Sequence, residues 1–160
     1  MADPRARFTQ FLPERAPIDA YGDGGFRFAE MSHRGSLLCL PSGIYGWPVE
    51  SVAALGVSGL DAEVSGAEPS GAEVSGVAVS EADAAALEAL FAPVVADRDA
   101  LGFLLLGTGA RQVFPSPALR ALFNNLNLGL DTMDTGAAAR TYNILLGEGR
   151  PVGAALIAVP

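Results

Sequence analysis

The stretch Met133-Asp134-Thr135-Gly136-Ala137-Ala138-Ala139-Arg140-Thr141-Tyr142-Asn143 decides how this chain is read. It follows a short apolar run of strand character, with Leu128, Leu130 and Thr132 in alternation. It then turns into an alanine-rich, helix-forming run. A strand, a Thr/Gly turn and a helix form the unit in which α/β proteins hold ligands, because the first N–H groups of a helix lack internal partners. Thr135 is the expected N-cap, and the alanines allow the helix to approach a sheet closely.

The triplet Asp134-Thr135-Gly136 also spells the signature of an aspartic protease. That chemistry needs two carboxyls sharing a proton about 3 Å apart. A chain with one triplet would have to dimerise and would place the triplet in a β-rich lobe. Here a helix follows directly, so the protease reading is set aside.

Composition excludes several further classes. The chain has 160 residues, half of them apolar, enough for one domain with a real core. All ten basic residues are arginine, which rules out a Schiff-base lysine, a phosphate-loop lysine and a Ser-Lys dyad. One histidine, His33, and one cysteine, Cys39, rule out a zinc site built from several such ligands and any intramolecular disulfide. No catalytic group, metal or cofactor is expected. The longest apolar run, Phe103-Leu104-Leu105-Leu106, is far short of the ~20 residues of a membrane span. The N-terminus has no apolar h-region, so a cytoplasmic protein of bacterial type is expected.

Charge is unevenly placed. Nine of the 18 acidic residues fall between Asp61 and Asp99 with Arg98 as the one base there, so the rest of the chain is neutral. A neutral body with an acidic segment is a poor nucleic-acid binder.

Residues 62–76 read AEVSG-AEPSG-AEVSG, a pentapeptide repeat that fits neither strand nor helix and offers little to bury. The expected organisation is therefore an N-terminal extension over 1–17, then a single α/β domain over 18–160 carrying a low-complexity acidic insertion at about 50–79. Before the insertion, Ile18–Phe28 has strand chemistry around a glycine turn, with Phe26 and Phe28 on one face and Arg27 on the other. A turn at Arg34-Gly35 leads to Ser36–Leu40, an apolar strand that needs cover on both faces, and to a short strand around Ile44–Trp47. This is an N-terminal β-meander.

A βαβαβ run follows. Ser80-Glu81-Ala82-Asp83 resembles a capping box and should open a helix through Leu87, Leu90 and Phe91 that stops at Pro93. Leu101–Leu106 is a buried strand. Ser116-Pro117 is an N-cap with proline at the first helical position, and Gly129 is the expected helix stop. The last strand lies in Pro151–Val159. The fold class is α/β, a mixed sheet flanked by helices. Two successive β-α units bring the loops Gly107-Thr108-Gly109 and Asp134-Thr135-Gly136 side by side at the C-terminal ends of parallel strands.

Those six residues, with Arg140, Tyr142 and Asn143, are the candidate ligand-binding set. As a phosphate loop Gly107–Gly109 is a weak match, because it lacks the fuller glycine spacing and Asp134 would repel an anion. His33 reads as a turn residue, Cys39 as core, and Tyr45 and Trp47 as packing. Arg140 and Asn143 share a helix face.

The chain resembles the respiratory complex I assembly factor 3 family. The resemblance is carried by Tyr21-Gly22, Gly24-Gly25-Phe26-Arg27-Phe28, His33-Arg34-Gly35-Ser36, Leu40-Pro41-Ser42-Gly43 and Trp47. In the second half it is carried by Leu105–Gly109, Met133-Asp134-Thr135, Thr141-Tyr142-Asn143 and Val152 with Ala154–Ile157. It spans about 18–48 and 81–159, and the repeat insertion departs from it. So does Ala139, where related proteins often carry cysteine. The resemblance implies a small α/β fold and a non-catalytic role with complex I subunits or another assembly factor as partners, at the cytoplasmic face of the membrane and without a span of its own. The alternative left open by the residues is a small-ligand binder or enzyme using the pocket between the two loops.

Overall fold

A computed structural model describes residues 8–55 and 81–160. The pentapeptide repeat and the Ser80 cap lie outside the described residues. The strands are β1 (Gln10–Leu12), β2 (Ala20–Gly22), β3 (Gly25–Phe28), β4 (Met31–Arg34), β5 (Ser36–Leu40), β6 (Gly43–Trp47), β7 (Phe103–Gly107), β8 (Gly129–Met133) and β9 (Val152–Leu156). The helices are α1 (Glu81–Leu90), α2 (Ala92–Asp97), α3 (Pro117–Leu126) and α4 (Thr135–Gly147), with short 3-10 turns at Val52–Leu55 and Arg98–Ala100.

The protein is a mixed α/β domain. Six strands form a sheet in the order β1-β6-β5-β9-β7-β8, and β2-β3-β4 form a second, three-stranded sheet. The β1-β6-β5-β9 part is antiparallel, and β7 pairs in parallel with both β8 and β9. Residues 10–12, inside the segment read from sequence as an extension, thus form an edge strand of the main sheet.

The period of two along the central strands divides the interior into two cores. Leu38, Leu40, Leu104, Leu106 and Ala155 face Leu87, Phe91, Val94, Leu119 and Phe123, which belong to or adjoin α1, α2 and α3. Leu37, Cys39, Leu105, Ala154 and Leu156 face the other way, against Ala138, Ala139 and Tyr142 of α4 and Phe26 and Phe28 of the small sheet. Every residue of β5 is buried, as expected for a strand covered on both faces. The small side chains of α4 are what let it lie against β7 and β9.

Local chemistry sets most of the boundaries. Ser116 caps α3 by accepting from the Leu119 N–H at 3.2 Å, with Pro117 at the first helical position. Four expectations are corrected. The N-cap of α4 is Asp134, whose Oδ1 accepts from the Ala137 N–H at 2.8 Å, so Thr135 is the first helical residue. Pro93 does not end the first helix for good. That helix breaks at Phe91, and the proline sits in the first turn of α2, where its missing N–H has no consequence. The stop of α3 is Asn127 in the left-handed conformation (φ 58°), leaving Gly129 to begin β8. His33 lies on β4, half-buried, with its ring centroid 4.7 Å from that of Phe11.

Candidate functional site

The β7–α3 connection leads to one face of the main sheet and the β8–α4 connection to the other. The strand C-termini at such a switch are where open α/β sheets bind ligands. The structure brings Gly107–Gly109 and Asp134–Gly136 together there, and it joins them by hydrogen bonds. The Thr135 N–H donates to the Gly109 carbonyl at 2.8 Å, and the Gly109 N–H donates to Thr135 Oγ1 at 2.9 Å. Thr135 Oγ1 donates in turn to the Ile157 carbonyl at 2.7 Å, and the Ile157 N–H reaches the Gly107 carbonyl at 3.0 Å. Thr135 is fully buried. A side chain at Gly107 would meet Thr135 Cα at 2.9 Å, so the glycine is needed for the loops to touch.

Most other members of the set are also committed within the fold, Arg140 being the exception. Thr108 Oγ1 donates to the Arg111 carbonyl at 2.6 Å and accepts from the Val113 N–H at 3.1 Å, which shapes the loop after β7. Tyr21 of β2 crowds over Gly136, where a Cβ would collide with its hydroxyl. The Tyr142 hydroxyl donates to the Ala16 carbonyl at 2.9 Å. Asn143 holds both backbone groups of Ile18, accepting from its N–H and donating to its carbonyl, each at 2.8 Å. Together with Arg15, which donates to the Val152 carbonyl at 2.9 Å, they fasten the segment before β2 to α4 and β9. Arg140 is exposed and has no side-chain partner among the described residues.

Titration behaviour follows burial. Loss of hydration pushes the Cys39 thiol up to about 12, against a smaller opposing effect of the Tyr142 hydroxyl. A thiol so placed is inert. Tyr142 is raised as well, chiefly by burial and then by the charge Cys39 would carry. His33 is lowered by burial, partly offset by the Ser36 carbonyl 3.2 Å from its Nε2. Among the described residues no group of three or more His, Cys, Asp or Glu is arranged to hold a metal, and no helix is long and apolar enough to cross a membrane.

Two further surfaces, outside the candidate ligand-binding set, are open. One is a groove of about 540 Å³ beside β8, the end strand of the main sheet, lined by Phe114, Arg120, Asn124, Leu130 and Asp131. Phe114 is 69% exposed, the largest fraction among the exposed large apolar side chains described. The other is a hollow of about 420 Å³ on the small sheet, with Arg27, Ser32 and Arg34 among its walls. Phe114 sits between Val113 and Pro115 in an irregular segment, where no periodicity assigns it to either inside or outside. The pairing of the arginines is set by the two-residue turn Ala29-Glu30 between β3 and β4, which has neither the glycine nor the asparagine that marks such a turn in sequence.

A mixed sheet of this order, with three helices on one face and a helix plus a small sheet on the other, defines a particular class of small α/β protein. The chain belongs to the family of proteins of unknown function DUF498/DUF598, which it matches over residues 18–157. It is 35% identical over 144 residues to an uncharacterized protein of Rhodobacter capsulatus, covering 90% of this chain and 86% of that one. Among solved structures it is similar to an outer membrane protein from Bartonella henselae, at 39% identity and TM-score 0.67, over 94% of this chain and 100% of that one. It is also similar to a Mth938-like domain from Bordetella pertussis, at 28% identity and TM-score 0.56, over 89% and 85% of the two chains.

Proposed function

We propose that this chain is a cytoplasmic, non-catalytic binding protein that assists assembly through protein–protein contacts. The observation that carries this reading is Phe114. A large aromatic side chain, mostly exposed, stands at the lip of a groove beside the end strand β8. Such a combination suits an extended segment of a partner, laid along the strand and anchored by an apolar residue against the ring. The commitment of Thr108, Thr135, Tyr142 and Asn143 to internal hydrogen bonds points the same way, since those groups have little left for a substrate.

The sequence motifs shared with complex I assembly factors make complex I subunits, or another assembly factor, the first partners to test. Affinity purification of the tagged protein should recover them, and Phe114→Ser should reduce recovery several-fold while leaving the melting temperature unchanged. Phe114 is mostly exposed, so its loss costs little in packing. Normal complex I levels in a deletion strain, or undiminished capture by the variant, would count decisively against this reading.

A further inference from the structure

The small sheet has a buried face and an outer one, and the outer face is unusual. Register places Arg27 opposite Ser32 and Gly25 opposite Arg34, so all four share that face and the two arginines are diagonal neighbours. Diagonal positions on adjacent strands lie about 7–8 Å apart. Neighbouring cations repel, so a pair of this kind ordinarily draws an acidic partner. Yet Arg27 has no side-chain partner among the described residues, and Arg34 donates to a backbone carbonyl, that of Asp23, at 3.1 Å. The ion pair described elsewhere joins Arg150 to Glu148. Asp23 lines the same hollow and is the one acid on its rim among the described residues.

The surface is concave because its middle is made of glycine. Gly22 and Gly25 leave a floor without side chains, and a Cβ at Gly25 would run into the backbone of β4 at the His33 carbonyl. The frame around it is held in place. The Gly24 N–H donates to the Val159 carbonyl at 2.7 Å, the Gly35 N–H to Gly24 at 2.7 Å, and the Asp19 N–H to Arg27 at 2.8 Å. The contact with Asp23 takes up part of one guanidinium fork at the turn, leaving other N–H donors of Arg34 uncommitted.

We propose that this hollow is a binding site for a phosphate monoester, with Arg27 and Arg34 as its charged ligands and the Ser32 hydroxyl as a third donor. Two guanidiniums match the charge of a phosphate dianion, and their forks suit its oxygens in paired hydrogen bonds. A carboxylate offers one charge and two oxygens, and would leave donors unused. The site is separate from the groove at β8, so each can fail without the other.

The test is a titration of the full chain with inorganic phosphate, followed by backbone amide shifts in NMR, with acetate and chloride arms at matched ionic strength. Saturable shifts confined to residues 20–27 and 32–35 are expected, with phosphate bound at least about tenfold more tightly than acetate. Arg27→Gln and Arg34→Gln should each weaken binding about tenfold or more. Arg120→Gln, on the far groove, should leave it unchanged. All three arginines are exposed, so the variants should fold, and the spectra report this directly. Shifts that stay linear, that acetate reproduces equally, or that survive in the Arg27→Gln/Arg34→Gln double variant would overturn the assignment.

Discussion

The strand C-termini around Thr135 and the outer face of the small sheet make an instructive pair. The first sits where an α/β sheet ordinarily binds its ligand and carries the conspicuous letters Asp-Thr-Gly, yet its polar groups are spent on one another. The second carries no motif that names a chemistry, yet it presents two arginines without acidic side-chain partners among the described residues, above a glycine floor. The difference shows that residue type at a favourable place is not a site. What matters is whether hydrogen-bonding capacity remains after the fold has taken its share.

The sharpest way to break the comparison is Thr135→Val, which keeps the shape and removes the hydroxyl. Gly109 N–H would lose its acceptor and Ile157 C=O the Thr135 hydroxyl that donates to it, both in a buried setting. A buried polar group left unsatisfied costs about 1–3 kcal/mol, so a loss of about 3 kcal/mol is expected in urea unfolding. A loss under about 1 kcal/mol would mean that the loops are open to water, and the strand edge would again be the better candidate for a ligand site.

That hub also marks where the sequence stops being legible. The strand-turn-helix unit is plain in Met133–Asn143, because capping, alanine content and alternation are all local signals. Asp134 and Thr135 are both good caps, and the choice between them rests on a tertiary fact. Thr135 Oγ1 is drawn to groups of Gly109 and Ile157, 26 and 22 residues away. The same limit hid the second helix: Pro93 reads as a stop, although a proline in a first turn starts a helix as readily as one after it ends one. Ser116-Pro117 was readable because the donor, Leu119 N–H, lies three residues along. The strand β1 was hidden because Gln10–Leu12 is short and its partner, β6, lies more than 30 residues away. Of the candidate site, the juxtaposition of the two loops was legible and the use of their hydrogen bonds was not.

A smaller effect of opposite sign tests the rigidity of the small sheet. Its two hairpin turns each place both central residues at positive φ, as two-residue turns of this hand require. Asp23-Gly24 suits that conformation (51° and 77°), whereas Ala29-Glu30 adopts it (47° and 64°) with ordinary side chains. A non-glycine residue in the left-handed region costs about 1–2 kcal/mol, and asparagine and glycine relieve it. Ala29→Asn combined with Glu30→Gly should therefore raise stability by about 1 kcal/mol, seen as a higher urea midpoint at constant slope. No gain would indicate that contacts of the turn already compensate for its backbone. A gain that also tightened the phosphate response would tie the geometry of β3 and β4 directly to the arginine pair.

The smallest effect concerns His33, on the buried side of the same strands. Its ring packs at a tilt against Phe11, and burial lowers its pKa from the ordinary 6.5. Because the folded state holds the neutral ring, the unfolded chain takes up the proton first as pH falls. The stabilisation is fully present above the unfolded value near 6.5, declines through the window down to the lowered folded value, and is flat below it, where both states are charged. Urea unfolding at a series of pH values should show this decline in the wild-type protein. His33→Phe keeps an aromatic ring against Phe11 and removes the titration, so its stability curve should fall less over the same window. Parallel curves for the two proteins would mean that His33 is as hydrated folded as unfolded. In that case β4 would be too loosely seated to hold Arg34 in place, and the contrast between a closed strand edge and an organised arginine face would fail on its second half.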